Sequence, residues 1–222
     1  MQLSEQEKIR RESLEKLKAY GIEPFPQDLY AVEDYAADLI SNYVENKPVC
    51  IAGRLMRRKI QGKASFGTVQ DSSGKIQVYF NRDEICQSED KSLYNDVFKK
   101  WLDLGDIIGI KGTLFKTMVG EISILVKEFT LLTKSLKPLP LPKTDKQGNT
   151  YDAFTDPELR YRQRYVDLIV NSQVKDTFIK RAQIINSMRD FFNSKGYHEL
   201  ETPILQPIPG GASARPFITH HN

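Results

Sequence analysis

Cysteine is nearly absent: Cys50 and Cys86 are the only two in 222 residues. They lie far apart with no Cys-x-x-Cys spacing, so nothing points to a disulfide framework or a cysteine-based metal site. Long apolar runs are absent as well, and none approaches the ~20 residues of a membrane-spanning helix. The amino terminus, MQLSEQEKIRRESLEKLK, is too charged for a secretory segment and too acidic for a transit peptide. A cytoplasmic protein without a membrane partner is expected. Neither a P-loop, a Ser/His/Asp set nor a catalytic carboxylate pair can be found. His220 and His221 are adjacent, so their side chains diverge, and no carboxylate lies nearby to complete a metal site. No catalytic residue and no metal ligand is therefore assigned within the chain.

A dominant charge is also missing. Lys and Arg number 32 against 29 Asp and Glu, a net charge of +3, which by itself does not argue for nucleic acid. Hydrophobic residues at 40% and charged residues at 27% describe a globular chain, long enough for two small domains.

Four regions follow from the patterning. Residues 1–47 form an amino-terminal helical extension. Ser4 and Glu7 make a capping box, Ile9, Leu14 and Leu17 are sparse apolar positions, and Gly21 then Pro24 stop the helix. Its other face is charged, either a solvated surface or a surface lying on an RNA backbone. Residues 48–134 carry five short strands, VCIAGRLMRR, SFGTVQD, KIQVYFN, GDIIGIKGTLFKT and EISILVKEFTLLT, with a helical stretch from Ser92 to Leu102 between the third and fourth. That order is the order of an OB-fold β barrel, whose second and third strands often hold oligonucleotides. Residues 135–152, rich in proline and without periodicity, read as a linker. Residues 153–222 open a second domain with one helix from Asp156-Pro157 through ELRYRQRYVDLIV and another over 174–194.

Strand alternation gives the sharpest clue. If Ile76, Val78 and Phe80 point into the barrel, then Lys75, Gln77 and Tyr79 point out; Val69 inward places Phe66, Thr68 and Gln70 outward. An outward Phe66 beside an outward Gln77 offers a stacking platform for a splayed base and an amide for its edge. The stretch feeding the second strand holds Arg57, Arg58, Lys59 and Lys63 and no acid from Ala52 to Gln70, so a phosphate-bearing partner is favoured there. A register one residue off would instead place Phe66 in the core and leave the basic run as a solvated loop.

The 174–194 helix is apolar on two sides, with Phe178, Ala182, Ile185 and Phe192 on one and Ile184, Met188 and Phe191 on the other. One stripe can face its own domain. The other calls for a second partner, a homodimer or the inside of a larger domain. The Pro209-Gly210-Gly211-Ala212 loop allows close backbone approach, or is a plain turn. The sequence is expected to continue beyond Asn222.

The strings GKASFGTVQD, GKIQVYF, YNDVFKKWLDLGDIIGIKGTLFKT, LRYRQRYVDLI and ETPILQPIPGGASARPFITHHN resemble the bacterial lysyl-tRNA synthetases over nearly the whole chain. The resemblance implies that residues 48–134 are an anticodon-binding OB fold and that 153–222 are the α+β opening of a class II catalytic domain, truncated here. KGYHELETPIL resembles class II motif 1, with Pro203 as its proline and Met188 and Phe191 at a dimer interface. It further implies that Phe66 stacks the central anticodon uridine, that Gln77 bonds it, that Arg58 or Lys59 assists, and that Glu121 sits near the first anticodon base. Gly210 and Gly211 would line a lysine pocket. ATP and Mg2+ would serve the full-length enzyme, with none held by this chain alone, because motifs 2 and 3 are not within it. Lysine, ATP and a lysine tRNA would be its partners. A non-catalytic RNA-binding module and an aspartyl or asparaginyl relative are the alternatives.

Overall fold

The computed structural model describes residues 3–145, 147, 150–151, 153–204 and 219–220. The chain divides into two compact units, Met1–Ala153 and Phe154–Asn222.

The first unit is built on five strands: β1 (Pro48–Gln61), β2 (Ala64–Gln70), β3 (Lys75–Asn81), β4 (Ile107–Lys116) and β5 (Ile122–Thr133). They close in the order β1-β2-β3-β5-β4, because β1 pairs antiparallel with β4 as well as with β2. Strands β3 and β5 run parallel. Alternate residues of β2 and β3 are buried, including Val69, Ile76, Val78 and Phe80, as period-two patterning requires when one face is covered. Ser65 is the polar exception, and its hydroxyl meets that of Tyr94 at 2.8 Å, so neither group is orphaned.

The expected stretch from Ser92 to Leu102 is helical, but it is a π-helix, Leu93–Trp101. Leu102 N–H donates to the carbonyl of Val97, five residues back. Tyr94, Val97 and Phe98 are wholly buried, and the Phe98 ring stacks on Phe80 with centroids 4.1 Å apart. Nine residues cannot distinguish a spacing of four from one of five, so the sequence showed a helix and hid its pitch.

Helix α1 (Glu5–Tyr20) begins at Ser4 with both bonds of the capping box and ends at Gly21. Leu14 and Leu17 are buried while Ile9 is exposed. Arg10 reaches from this helix to the carbonyls of Ser135 and Leu104 at 2.8 and 2.9 Å. The chain's exit from β5 is fastened further by Lys134, wholly buried, which donates to the Trp101 carbonyl at 2.8 Å and to Asp106 at 2.9 Å. Burial pushes the Asp106 carboxyl up despite Lys134 and the N–H groups of Asp103 and Ser135.

Two short helices had no clear sequence signal. Helix α2 (Ala36–Ser41) lacks a cap of its own, and the β2–β3 turn supplies one: Asp71 accepts from Ala36 N–H at 2.6 Å and the Ser73 hydroxyl from Ala37 N–H at 3.0 Å. Helix α3 (Arg82–Ile85) is a single turn. In the expected linker, β6 (Lys143–Thr144) pairs with β7 (Thr150–Tyr151).

In the second unit the first expected helix is two, α4 (Pro157–Arg162) and α5 (Arg164–Val170), because Gln163 leaves the helical region at φ −120°, ψ 54°. Asp167, within α5, is buried and accepts from Arg160 of α4 at 3.0 Å and from Asn171 at 2.6 Å, with Arg164 alongside. The long helix α6 spans Ser172–Ser194.

Candidate nucleic-acid interface

The outward positions of β1, β2 and β3 line up in cross-strand rows. Lys59 pairs with Phe66, and Phe66 with Tyr79. In the next row Arg57 pairs with Thr68, and Thr68 with Gln77. Phe66, Thr68, Gln77 and Tyr79 are all partly exposed, alternating with the buried Gly67, Val69 and Val78. Phe66 therefore stands on the outer face, and the one-residue slip that would bury it does not occur.

The Phe66 ring lies 4.9 Å from that of Tyr79, tilted by 44°, and Tyr79 lies 5.9 Å from Phe115 edge-on. Three rings thus run across the barrel wall, each propped by the next. Gln77 donates its amide N–H to the Ser123 hydroxyl at 3.0 Å. Since Ser123 is fully buried on β5, this bond holds the Gln77 side chain in one orientation.

The β4–β5 hairpin rises beside these rows. Its turn is closed by Thr117 N–H to Glu121 carbonyl at 2.9 Å, Glu121 N–H to the Thr117 hydroxyl at 3.0 Å, and Gly120 N–H to Thr117 carbonyl at 2.8 Å. Gly120 takes φ 87°, which other residues rarely adopt. Glu121 is exposed there, and Met118 and Val119 stand fully in solvent. Together Arg57, Lys59, Phe66, Gln77, Thr117 and Val119 border one shallow depression with no carboxylate among its lining residues.

The basic run does not form a loop. Strand β1 continues to Gln61 and turns into β2 through Gly62, at φ 62°, and Lys63, a two-residue hairpin of the kind that needs a positive φ. A register shift between Leu55 and Arg57 interrupts the alternation, so Arg57 faces outward where unbroken period two from the buried Leu55 would turn it inward. Lys59 is on the open face, while Arg58 is turned inward: its guanidinium donates to the carbonyls of Phe98 and, at 2.7 Å, Leu102. Burial lowers its pKa against the pull of Asp103 and Asp106. Of the paired expectation of Arg58 or Lys59, only Lys59 reaches the depression. Arg57, which the sequence placed in the basic run but not among the anticodon residues, reaches it too; it lies two residues before Lys59 on the same side of the strand.

In the second unit, Ile184, Met188 and Phe191 border an exposed groove on α6. No residue of that helix is buried, on either of its two apolar stripes. Pro203 is exposed. Gly210 and Gly211 lie outside the described residues.

Residues 49–132 match the family model described as an OB-fold nucleic acid binding domain, and residues 156–222 match tRNA synthetases class II (D, K and N). The chain is 63% identical to a lysine-tRNA ligase of Christiangramia forsetii over 221 residues, covering all of this chain and 39% of that protein. A lysine-tRNA ligase of Porphyromonas gingivalis is 56% identical over 227 residues, again all of this chain and 39% of the relative. One of Azobacteroides pseudotrichonymphae is 58% identical over 223 residues, with coverages of 99% and 44%. The chain thus spans about two fifths of the length of the curated relatives it matches.

Proposed function

Because the chain belongs to the class II tRNA synthetases of the lysyl type, we propose that its barrel binds the anticodon loop of a lysine tRNA. One unstacked base, the central uridine, lies on Phe66 with its edge against Gln77. Lys59 contributes charge beside it, and Glu121 on the hairpin meets the neighbouring first base.

The observation carrying this reading is the placement of Phe66 and Gln77 on adjacent rows of one exposed face, next to basic β1. A flat ring stacks any base, and an oriented amide distinguishes one base edge from another. Holding Gln77 through Ser123 limits the rotamer freedom lost on binding. The experiment is a titration of the chain with an RNA hairpin carrying the lysine anticodon. Phe66→Ala weakens binding by ~1 to 3 kcal/mol, the worth of one stacked base, and unchanged affinity removes Phe66 from the site.

For the full-length protein we propose the activation of lysine by ATP with Mg2+ and its transfer to the tRNA, in the cytoplasm. Among the described residues no three Asp, Glu, His or Cys side chains converge, so no metal site is assigned to them and no step of activation is placed here. Residues 1–47 act as the barrel's helical extension, 48–134 as the RNA-binding domain, 135–152 as the connection and 153–222 as the start of the catalytic domain. The exposed apolar groove on α6, with Met188 and Phe191, together with Pro203, is covered by a second copy in a homodimer.

A further inference from the structure

Strand β1 carries three arginines whose surroundings differ. Arg54 donates to the Gly105 carbonyl at 2.6 Å, and Arg58 to the carbonyls at the end of the π-helix. Both are partly withdrawn from solvent, and both are engaged by backbone carbonyls. Arg57 is exposed and makes no such bond with any described residue. It shares a row with Thr68 and Gln77 and stands two residues from Lys59 on the same side of the strand.

Resting on the anticodon reading above, we propose that Arg57 grips the phosphodiester beside the base stacked on Phe66. The middle of the face is occupied by the stacking ring and the amide, which take the base. The β1 margin, lying outside them, meets the backbone that leads to and from that base. Arg57 and Lys59 are separated there by about 7 Å, two residues of an extended strand. No acidic residue stands between positions 52 and 70 to neutralise them. A guanidinium is planar and offers two parallel N–H donors to a phosphate, a contact that lysine cannot reproduce. Thr68, between Arg57 and Gln77, is small enough to leave the space above it open. The register shift between Leu55 and Arg57 turns Arg57 outward, and Arg58 beside it is anchored inward on the carbonyls of Phe98 and Leu102.

The test is the salt dependence of binding by the full chain, titrated from ~50 to ~200 mM salt with hairpins carrying each of the four bases at the central anticodon position. Loss of one phosphate contact on a single strand reduces the slope of log K against log salt by about 0.7. Arg57→Gln lowers the slope by that amount and weakens all four hairpins by the same factor, while Arg57→Lys restores most of the slope but not all of the affinity. An unchanged slope, or a loss confined to one central base, overturns the proposal. If Phe66→Ala weakens binding and Arg57→Gln does not, the anticodon reading stands and Arg57 has no part in it. If the unaltered chain binds none of the hairpins, both fall. Thermal melting of each variant checks that the barrel is intact, since Arg57 has no fold-supporting bond to lose.

Discussion

Phe66 and Tyr79 face each other across β2 and β3, with ring centroids 4.9 Å apart and planes tilted by 44°. Tyr79 is the wall against which the Phe66 ring rests, and an aromatic pair of this geometry contributes ~0.5 to 1.5 kcal/mol beyond its buried area. Tyr79→Ala should therefore weaken binding of a lysine-anticodon hairpin less than Phe66→Ala does, and the double variant should lose less than the sum, as coupled neighbours do. Anisotropy titrations of the three variants measure this directly, and strict additivity would show the rings to act independently.

Asp71 joins the β2–β3 turn to α2. Burial pushes its carboxyl up, but the donors at Ala36, Ser73 and Gly74 more than reverse this and hold it below the ordinary value. A depressed pKa in the folded state stabilises above the unfolded value, near 3.9, and the contribution disappears as pH falls through the folded value. Asp71→Asn should lower the urea midpoint at pH 7, and the gap from the unaltered chain should close on acidification below about pH 4. A gap independent of pH would assign the loss to shape, not charge.

Lys134 and Asp106 are wholly buried and joined at 2.9 Å. Lys134→Met leaves a buried carboxylate without its cation and should cost ~3 to 5 kcal/mol. Adding Asp106→Asn removes the unpaired charge and should recover part of the loss, because the Asn oxygen still accepts from backbone N–H. Urea denaturation of the single and double variants tests this; a double variant as weak as the sum of both singles would refute the pairing.

On α6, Ile184, Met188 and Phe191 are 62%, 52% and 58% exposed, a contiguous apolar strip of the kind that marks an interface. Met188→Glu should shift sedimentation of the chain toward the monomer. An unaltered chain that sediments as a monomer at high concentration would mean that this helix does not dimerise within these residues.

Much of the interface was legible because β2 and β3 have one buried face: Val69, Ile76, Val78 and Phe80 point inward, so Phe66 and Gln77 must point outward. The basic end of β1 was not. Arg57, Lys59 and Gln61 alternate with Arg58 and Ile60, and only one of these five positions is apolar, so no period-two signal marks a strand. Arg58 looks from sequence like its neighbours, and its inward course depends on carbonyls 40 and 44 residues away. The cap of α2 by Asp71 is likewise contributed from 35 residues on. Nothing at Gln163 announces the break between α4 and α5, since neither glycine nor proline stands there.

The most direct measurement compares the affinity of the chain for a lysine-anticodon hairpin with its affinity for hairpins in which the central uridine is replaced by each other base. A base held on Phe66 and read by Gln77 predicts a loss of roughly tenfold on replacement, the worth of one hydrogen bond, and Gln77→Ala should erase the difference. Equal affinity for all four hairpins would contradict base recognition on this face.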